Sequence, residues 1–240
     1  MSEMTRTSRT SRTTRARHRT RTAVVVVVTA AVVAPAAAVA GGTMLGEPRP
    51  GTTVSVLPAG QDNPSIAEGV AIGKDTAIYK TSGLGPGALN TAAPAGTEQR
   101  YVDPVDLVGG ALPPGVTITE AQGLNVLRRI GENLARVGLS YDDVITMRVF
   151  LQNPAGEEKM DFAGWNRAYR QFFANTSLSN GQPVPVPLGT ALPAPPMVAN
   201  PARPSRFALE IENLPVNGWL VEVEVDAAFP EKKKKKWGWH

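Results

Sequence analysis

Two neighbouring segments near the C-terminal end carry the chemistry of this chain. In Pro204-Ser205-Arg206-Phe207-Ala208-Leu209-Glu210-Ile211-Glu212, the apolar residues Phe207, Leu209 and Ile211 alternate with small or acidic ones, the period of a half-buried strand. In Val221-Glu222-Val223-Glu224-Val225-Asp226, valines alternate with a row of carboxylates. An arginine heading one strand and a carboxylate row along the next mark where a binding site is expected. Much other chemistry is excluded. There is no cysteine, hence no disulfide, thiolate nucleophile or zinc–thiolate site. The only histidines, His18 and His240, lie near the two ends, so no Ser-His-Asp triad and no histidine metal cluster can form inside the fold.

The elements that must position these residues follow from the patterning. Asn217-Gly218 supplies the positive φ angles of a tight turn, so the two segments are expected to pair as a hairpin. Residues 66–83 predict an earlier hairpin, with Val70 and Ile72, a turn near Gly73-Lys74-Asp75, and a second strand over 76–81. Residues 119–137 form the clearest helix: Thr119 and Gln122 have capping-box spacing, Leu127, Ile130, Leu134 and Val137 recur at helical intervals, and Gly138 is a stop. The β-branched run 144–151 predicts a central strand, apolar on both faces. Asp161 caps a second helix over 162–173, whose stripe of Phe162, Trp165, Tyr169 and Phe172 reads as core, with Asn166 as its polar neighbour. Residues 88–118 are rich in turn formers. Residues 179–204 hold eight prolines and no charge before Arg203, a loop long enough to cover something or meet a partner. Gly83-Leu84-Gly85-Pro86-Gly87 has the glycines of a phosphate loop but no helix after it, so it reads as a loop.

The 240 residues, 42% hydrophobic, suffice for one sizeable core. The formal charge of +4 comes from the ends: residues 1–22 hold seven arginines and 232–236 are five lysines. Residues 41–230 hold 13 Lys and Arg against 19 Asp and Glu, an acidic body that argues against nucleic-acid binding. Residues 1–22, the Ala/Val run 23–39 and Ala38-Val39-Ala40 have the layout of an export signal cleaved after Ala40. An uncleaved membrane anchor is the alternative. The lysine run with Trp237-Gly238-Trp239-His240 is either a weak contact to an anionic surface or a solvated tail. The expected organisation is a signal over 1–40, a flexible lead-in over 41–63, one domain over 64–229 and a basic tail over 230–240.

Three passages resemble the RidA (YjgF/YER057c/UK114) family: Arg136-Val137-Gly138-Leu139-Ser140-Tyr141-Asp142-Asp143-Val144 through Val149-Phe150-Leu151; Asp161-Phe162-Ala163-Gly164-Trp165-Asn166-Arg167-Ala168-Tyr169 with Phe172-Phe173; and the Pro-x-Arg, Leu214-Pro215 and Glu-x-Glu words of the closing strands. The resemblance covers roughly 64–229, with insertions at about 86–118 and 176–203. It implies an α+β fold like the Bacillus-type chorismate mutase, a mixed sheet backed by two helices, assembled as a homotrimer with ligand clefts between subunits. It also implies hydrolysis of 2-imino or enamine acids to 2-keto acids and ammonia, without a cofactor or metal. Other members lack this activity, and some are described as ribonucleases or chaperone-like proteins.

By resemblance, the carboxylate-binding arginine is Arg206, since its spacing to Leu214-Pro215 fits better than that of Arg203. Glu222 matches the glutamate that holds or activates water, Asn166 the helix asparagine near the cleft, and Ser82-Gly83 the strand-end pair lining it. One family position is missing: Pro64-Ser65-Ile66-Ala67-Glu68 contains no aromatic where members carry a tyrosine. With a two-residue turn at 217–218, Arg206 faces Phe229 and Glu222 faces Asn213. The two side chains then stand on opposite faces, about 23 Å apart at ~3.3 Å per residue. The expectation is therefore a site shared by two subunits, with Arg206 and Asn166 from one and Glu222 with Ser82-Gly83 from the other. The alternative function is an exported, non-catalytic protein binding a carboxylate metabolite or a protein partner.

Overall fold

The computed structural model describes residues 46–231. The export signal, its cleavage after Ala40, and the lysine-rich run with its tryptophans lie outside the described residues. Among the described residues no helix is long and apolar enough to cross a membrane.

The strands are β1 (Thr53–Val56), β2 (Gly69–Ile72), β3 (Ile78–Lys80), β4 (Val144–Leu151), β5 (Ser205–Glu210) and β6 (Val221–Ala228), and the two α-helices are α1 (Ile118–Ala135) and α2 (Phe162–Arg170). β1 and β2 form a small antiparallel sheet. The main sheet has the order β3-β6-β4-β5, mixed because β4 and β5 run parallel. Both helices pack on one side of it. Leu124, Leu127, Ile130 and Leu134 of α1 and Trp165 and Tyr169 of α2 meet Met147, Val149 and Leu151 of β4 and the valines of β6, all of them buried. Burial of this kind is worth roughly 1.5–3 kcal/mol per large side chain. The fold is the expected α+β arrangement of a mixed sheet backed by two helices.

Three local expectations change. The closing segments do not pair with each other, because β4 lies between β5 and β6. The turn at Asn217-Gly218 exists, with Gly218 at φ 88° and the Trp219 N–H bonded to the Val216 carbonyl. It docks on another part of the molecule instead. Gln122 donates to the Gly218 and Glu98 carbonyls and accepts from the Leu220 N–H. The second change concerns 66–83, whose strands join different sheets: β2 pairs with β1, inside the segment expected to be an irregular lead-in, and β3 pairs with β6.

The third change is at the start of α1. Thr117, not Thr119, caps it by accepting from the Glu120 N–H. Gln122 is thereby free to clamp the 217–220 turn. The fully buried Glu120 carboxylate accepts from Arg167 at 2.8 Å and from the Gly189 N–H at 2.9 Å, fastening the proline-rich insertion to both helices. Asp161 caps α2 as expected, accepting from the Gly164 N–H. Within the other insertion, Tyr101 and Val102 are buried, and Asn125 of α1 holds the Gly87 and Tyr101 carbonyls.

Candidate functional site

Register across the sheet settles the faces. Met147 of β4 stands between Arg206 and Val225, and Phe150 stands between Leu209 and Glu222. Met147 and Val225 are buried against the helices, so Arg206 lies on the helix side. Phe150 is an odd number of positions away, so Glu222 lies on the open side. The two side chains are thus on opposite faces, as expected, but three ladder positions apart across an intervening strand rather than seven across a hairpin. The alternation in β5 has the expected period and the opposite sense. Ala208 packs on the core, while Phe207 and Leu209 are 44% and 49% exposed on the open face.

Arg206 reaches over α2. Its Nη2 donates to Asn166 Oδ1 at 3.1 Å, and its guanidinium carbon stands 4.1 Å from the centre of the Tyr169 ring and 5.9 Å from that of Phe162. Cation–ring contacts of this kind contribute about 0.5–2 kcal/mol. Its Nη1 is buried with no hydrogen-bond partner. Burial lowers the Arg206 pKa, the Tyr169 oxygen opposes that, and the Arg170 charge adds to it. Burial likewise pushes the Tyr169 phenol up, and its O–H donates to the Ser65 carbonyl at 2.8 Å. Tyr169 therefore belongs both to the core stripe and to the site. The sequence signal for that double use was its place three residues after Asn166.

Arg203, the competing arginine, is saturated. Its three nitrogens donate to the carbonyls of Pro64, Pro201 and Thr176 at 2.6–2.8 Å, and it is 3% exposed. It ties together three loops, with each nitrogen committed to a carbonyl.

On the open face, Glu222 makes no hydrogen bond or ion pair to the described residues, and burial raises its pKa. A Cβ on Gly83 would overlap the Glu222 carboxylate, so glycine there is what lets this carboxylate lie against the backbone. Leu84 and Val223 exchange backbone hydrogen bonds at 2.9 Å and fix the approach. Gly83, with Ser82 before it in the chain, and Glu222 thus come together, as do Arg206 and Asn166, and the two groups are separate within one chain. The cavities of about 620, 480 and 270 Å³ are lined by other residues. Among the described residues no three His, Asp or Glu side chains cluster as metal ligands.

Residues 104–229 match the family model described as Endoribonuclease L-PSP. The chain belongs to this family, the RidA/YjgF family. Solved structures similar to this family member include a YjgF/YER057c/UK114 protein from Mycobacterium tuberculosis, 18% identical over 74% of this chain and 100% of the other, with TM-score 0.35. Another is a structure described as a putative endoribonuclease from Klebsiella pneumoniae, 20% identical over 64% and 93%, with TM-score 0.39. A third is TdcF from E. coli with bound serine, 22% identical over 77% and 96%, with TM-score 0.36. No curated protein sequence matches this RidA/YjgF chain.

Proposed function

We propose that this RidA/YjgF protein hydrolyses reactive 2-imino or enamine acids to 2-keto acids and ammonia, in a cleft completed by a neighbouring subunit of a homotrimer. The observation that carries the reading is the pair of unmatched charges: Arg206 with its buried, unpartnered Nη1, and Glu222 with a free, burial-perturbed carboxyl. Arg206, steadied by Asn166, takes the substrate carboxylate. Glu222, beside Ser82-Gly83, takes a proton from water as the water oxygen adds to the C=N carbon. The nitrogen is protonated, and the tetrahedral adduct collapses to C=O with loss of ammonia. The elements balance without a cofactor. Because the two groups occupy opposite faces of one sheet, they meet only if different subunits supply them. Exposed Phe207 and Leu209 beside Phe150 on the open face supply the apolar contact surface for that assembly.

Membership of a family described as endoribonuclease does not alter this reading, since the body is acidic and its histidines are confined to the ends. The second reading, a binding protein on the same scaffold, draws on Ser65-Ile66-Ala67, which has no aromatic where family members carry a tyrosine. There the Ser65 carbonyl accepts from Tyr169 and the Ala67 N–H donates to Pro204. For location, the reading is export with cleavage after Ala40, membrane anchorage being the alternative.

The deciding experiment is ammonia release from freshly generated 2-iminopropanoate. The wild type should accelerate it, and Arg206→Ala should lower the rate about 100-fold, the loss of a charge-assisted bidentate contact. A wild-type rate no faster than the uncatalysed one, with 2-keto acids still bound through Arg206, selects the binding protein.

A further inference from the structure

Beside Arg206 the fold places a second arginine without a counter-charge. Arg170 follows Asn166 by four residues on α2, so the two leave the helix on the same face, about 6 Å apart along its axis. Asn166 is the residue bonded to Arg206, and Tyr169, adjacent to Arg170, lies under the Arg206 guanidinium. Arg170 therefore extends the wall on which Arg206 sits. Its Nε is buried with no hydrogen-bond partner, as is Nη1 of Arg206.

Among the other partly buried arginines, Arg128 has Asp103 and Asp106, Arg148 has Glu224 and Asp226, and Arg167 has Glu120, while Arg100 and Arg129 donate to backbone carbonyls. Arg203 is saturated by carbonyls. Among the described residues neither Arg170 nor Arg206 has an acid within ion-pair distance. Burial lowers the pKa of both, and each is also affected by Tyr169 between them. Two partly desolvated like charges on one wall cost stability, and a ligand with two negative groups removes that cost.

We propose that the site takes a 2-oxo or 2-imino diacid, whose first carboxylate lies on Arg206 and whose side-chain carboxylate lies on Arg170. The inference rests on the reading of Arg206 as the carboxylate-binding residue. Asn166, which holds Arg206, stands about 6 Å along the helix from Arg170, a separation of the order of the length of an extended five-carbon diacid. A monoacid leaves Arg170 unmatched, so Arg170 sets specificity and takes no part in the bond-breaking step.

Calorimetric titration of the full chain with 2-oxobutanoate and 2-oxoglutarate, at one fixed ionic strength, tests this. The wild type should bind 2-oxoglutarate at least about tenfold more tightly. Arg170→Gln should bring 2-oxoglutarate down to the 2-oxobutanoate level without changing 2-oxobutanoate, and Arg170→Lys should restore part of the preference. Arg206→Gln should weaken both. Equal wild-type affinities, as when a neighbouring subunit's acid already pairs with Arg170, overturn the inference. So does an Arg170→Gln protein that weakens both ligands alike. In either case the Arg206 reading stands if Arg206→Gln still weakens 2-oxobutanoate. A wild type that binds neither ligand overturns both.

Discussion

The open face of the main sheet and the edge where β5 meets α2 each set a satisfied charge system beside unsatisfied charge. On the open face, Arg148 donates to Glu224 and to Asp226, which Lys80 also approaches at 3.6 Å. Glu222, two residues before Glu224 on the same strand and the same face, has no such partner among the described residues. At the β5 edge, Arg203 gives all three nitrogens to carbonyls, while Arg206 keeps one nitrogen buried and unmatched. The satisfied member of each pair shows what a structural charge looks like in this fold. The contrast sets Arg206 and Glu222 apart as the groups on which the proposed function rests.

The contrast can be broken most forcefully at Arg203. Arg203→Met should destabilise the protein by about 3–5 kcal/mol, the cost of stranding buried polar partners, measured as a shift in the denaturant midpoint at unchanged slope. A loss below 1 kcal/mol would show that Arg203 is not the structural arginine. Next comes Glu222→Gln, expected to lower the hydrolytic rate at least about 100-fold, as removal of a general base does, while leaving 2-keto acid affinity within about twofold. The wild-type rate should also depend on pH. The base works ionised, so kcat/KM falls as pH drops through the Glu222 pKa. Because burial raises that pKa, the acid limb should sit above the ordinary glutamate value of about 4.3, and it should vanish in Glu222→Gln. A flat profile in the wild type would remove Glu222 from the chemistry.

Much of this arrangement was legible in the residues, and the failures have physical causes. The strand 144–151 and the Asp161 cap are written locally, in a β-branched run and a side chain placed before a helix, and the structure reproduces both. The partner of β5 is not written locally. Asn217-Gly218 does specify a turn, but a turn fixes only the path of the chain, whereas pairing depends on β4, about 60 residues earlier in the sequence. Alternation in β5 gave the right period and the wrong inward face. Phe207 and Leu209 are the more apolar set, yet Arg206 and Ala208 turn toward the helices because the guanidinium lies over Tyr169. Gln122 shows the same limit at α1, where a long-range partner, the 217–220 turn, takes a side chain that reads as half of a capping box. Opposite faces for Arg206 and Glu222 survived these errors because both separations, the imagined and the observed, are odd numbers of positions.

Gly83 sharpens the comparison on the open face. Its missing Cβ leaves the space that the Glu222 carboxylate occupies. Gly83→Ala should displace that carboxylate and lower the rate about tenfold. Stability should change by less than about 1 kcal/mol, because the displaced atoms are the free end of a flexible side chain. Equal rates in the two proteins would mean that the carboxylate's present position is not the working one.

The smallest effect belongs to Arg206 itself, measured on stability rather than on ligand. Arg206→Met gives up one hydrogen bond to Asn166 and a cation–ring contact, and it also removes a partly buried charge without an acid. These contributions oppose one another and are each of order 1 kcal/mol. The unfolding free energy should therefore stay within about 1 kcal/mol of the wild type, against the several lost in Arg203→Met three residues earlier. If both arginines cost the same several kcal/mol, Arg206 is holding the fold together as Arg203 does, and the separation between structural and reserved charges at this edge fails.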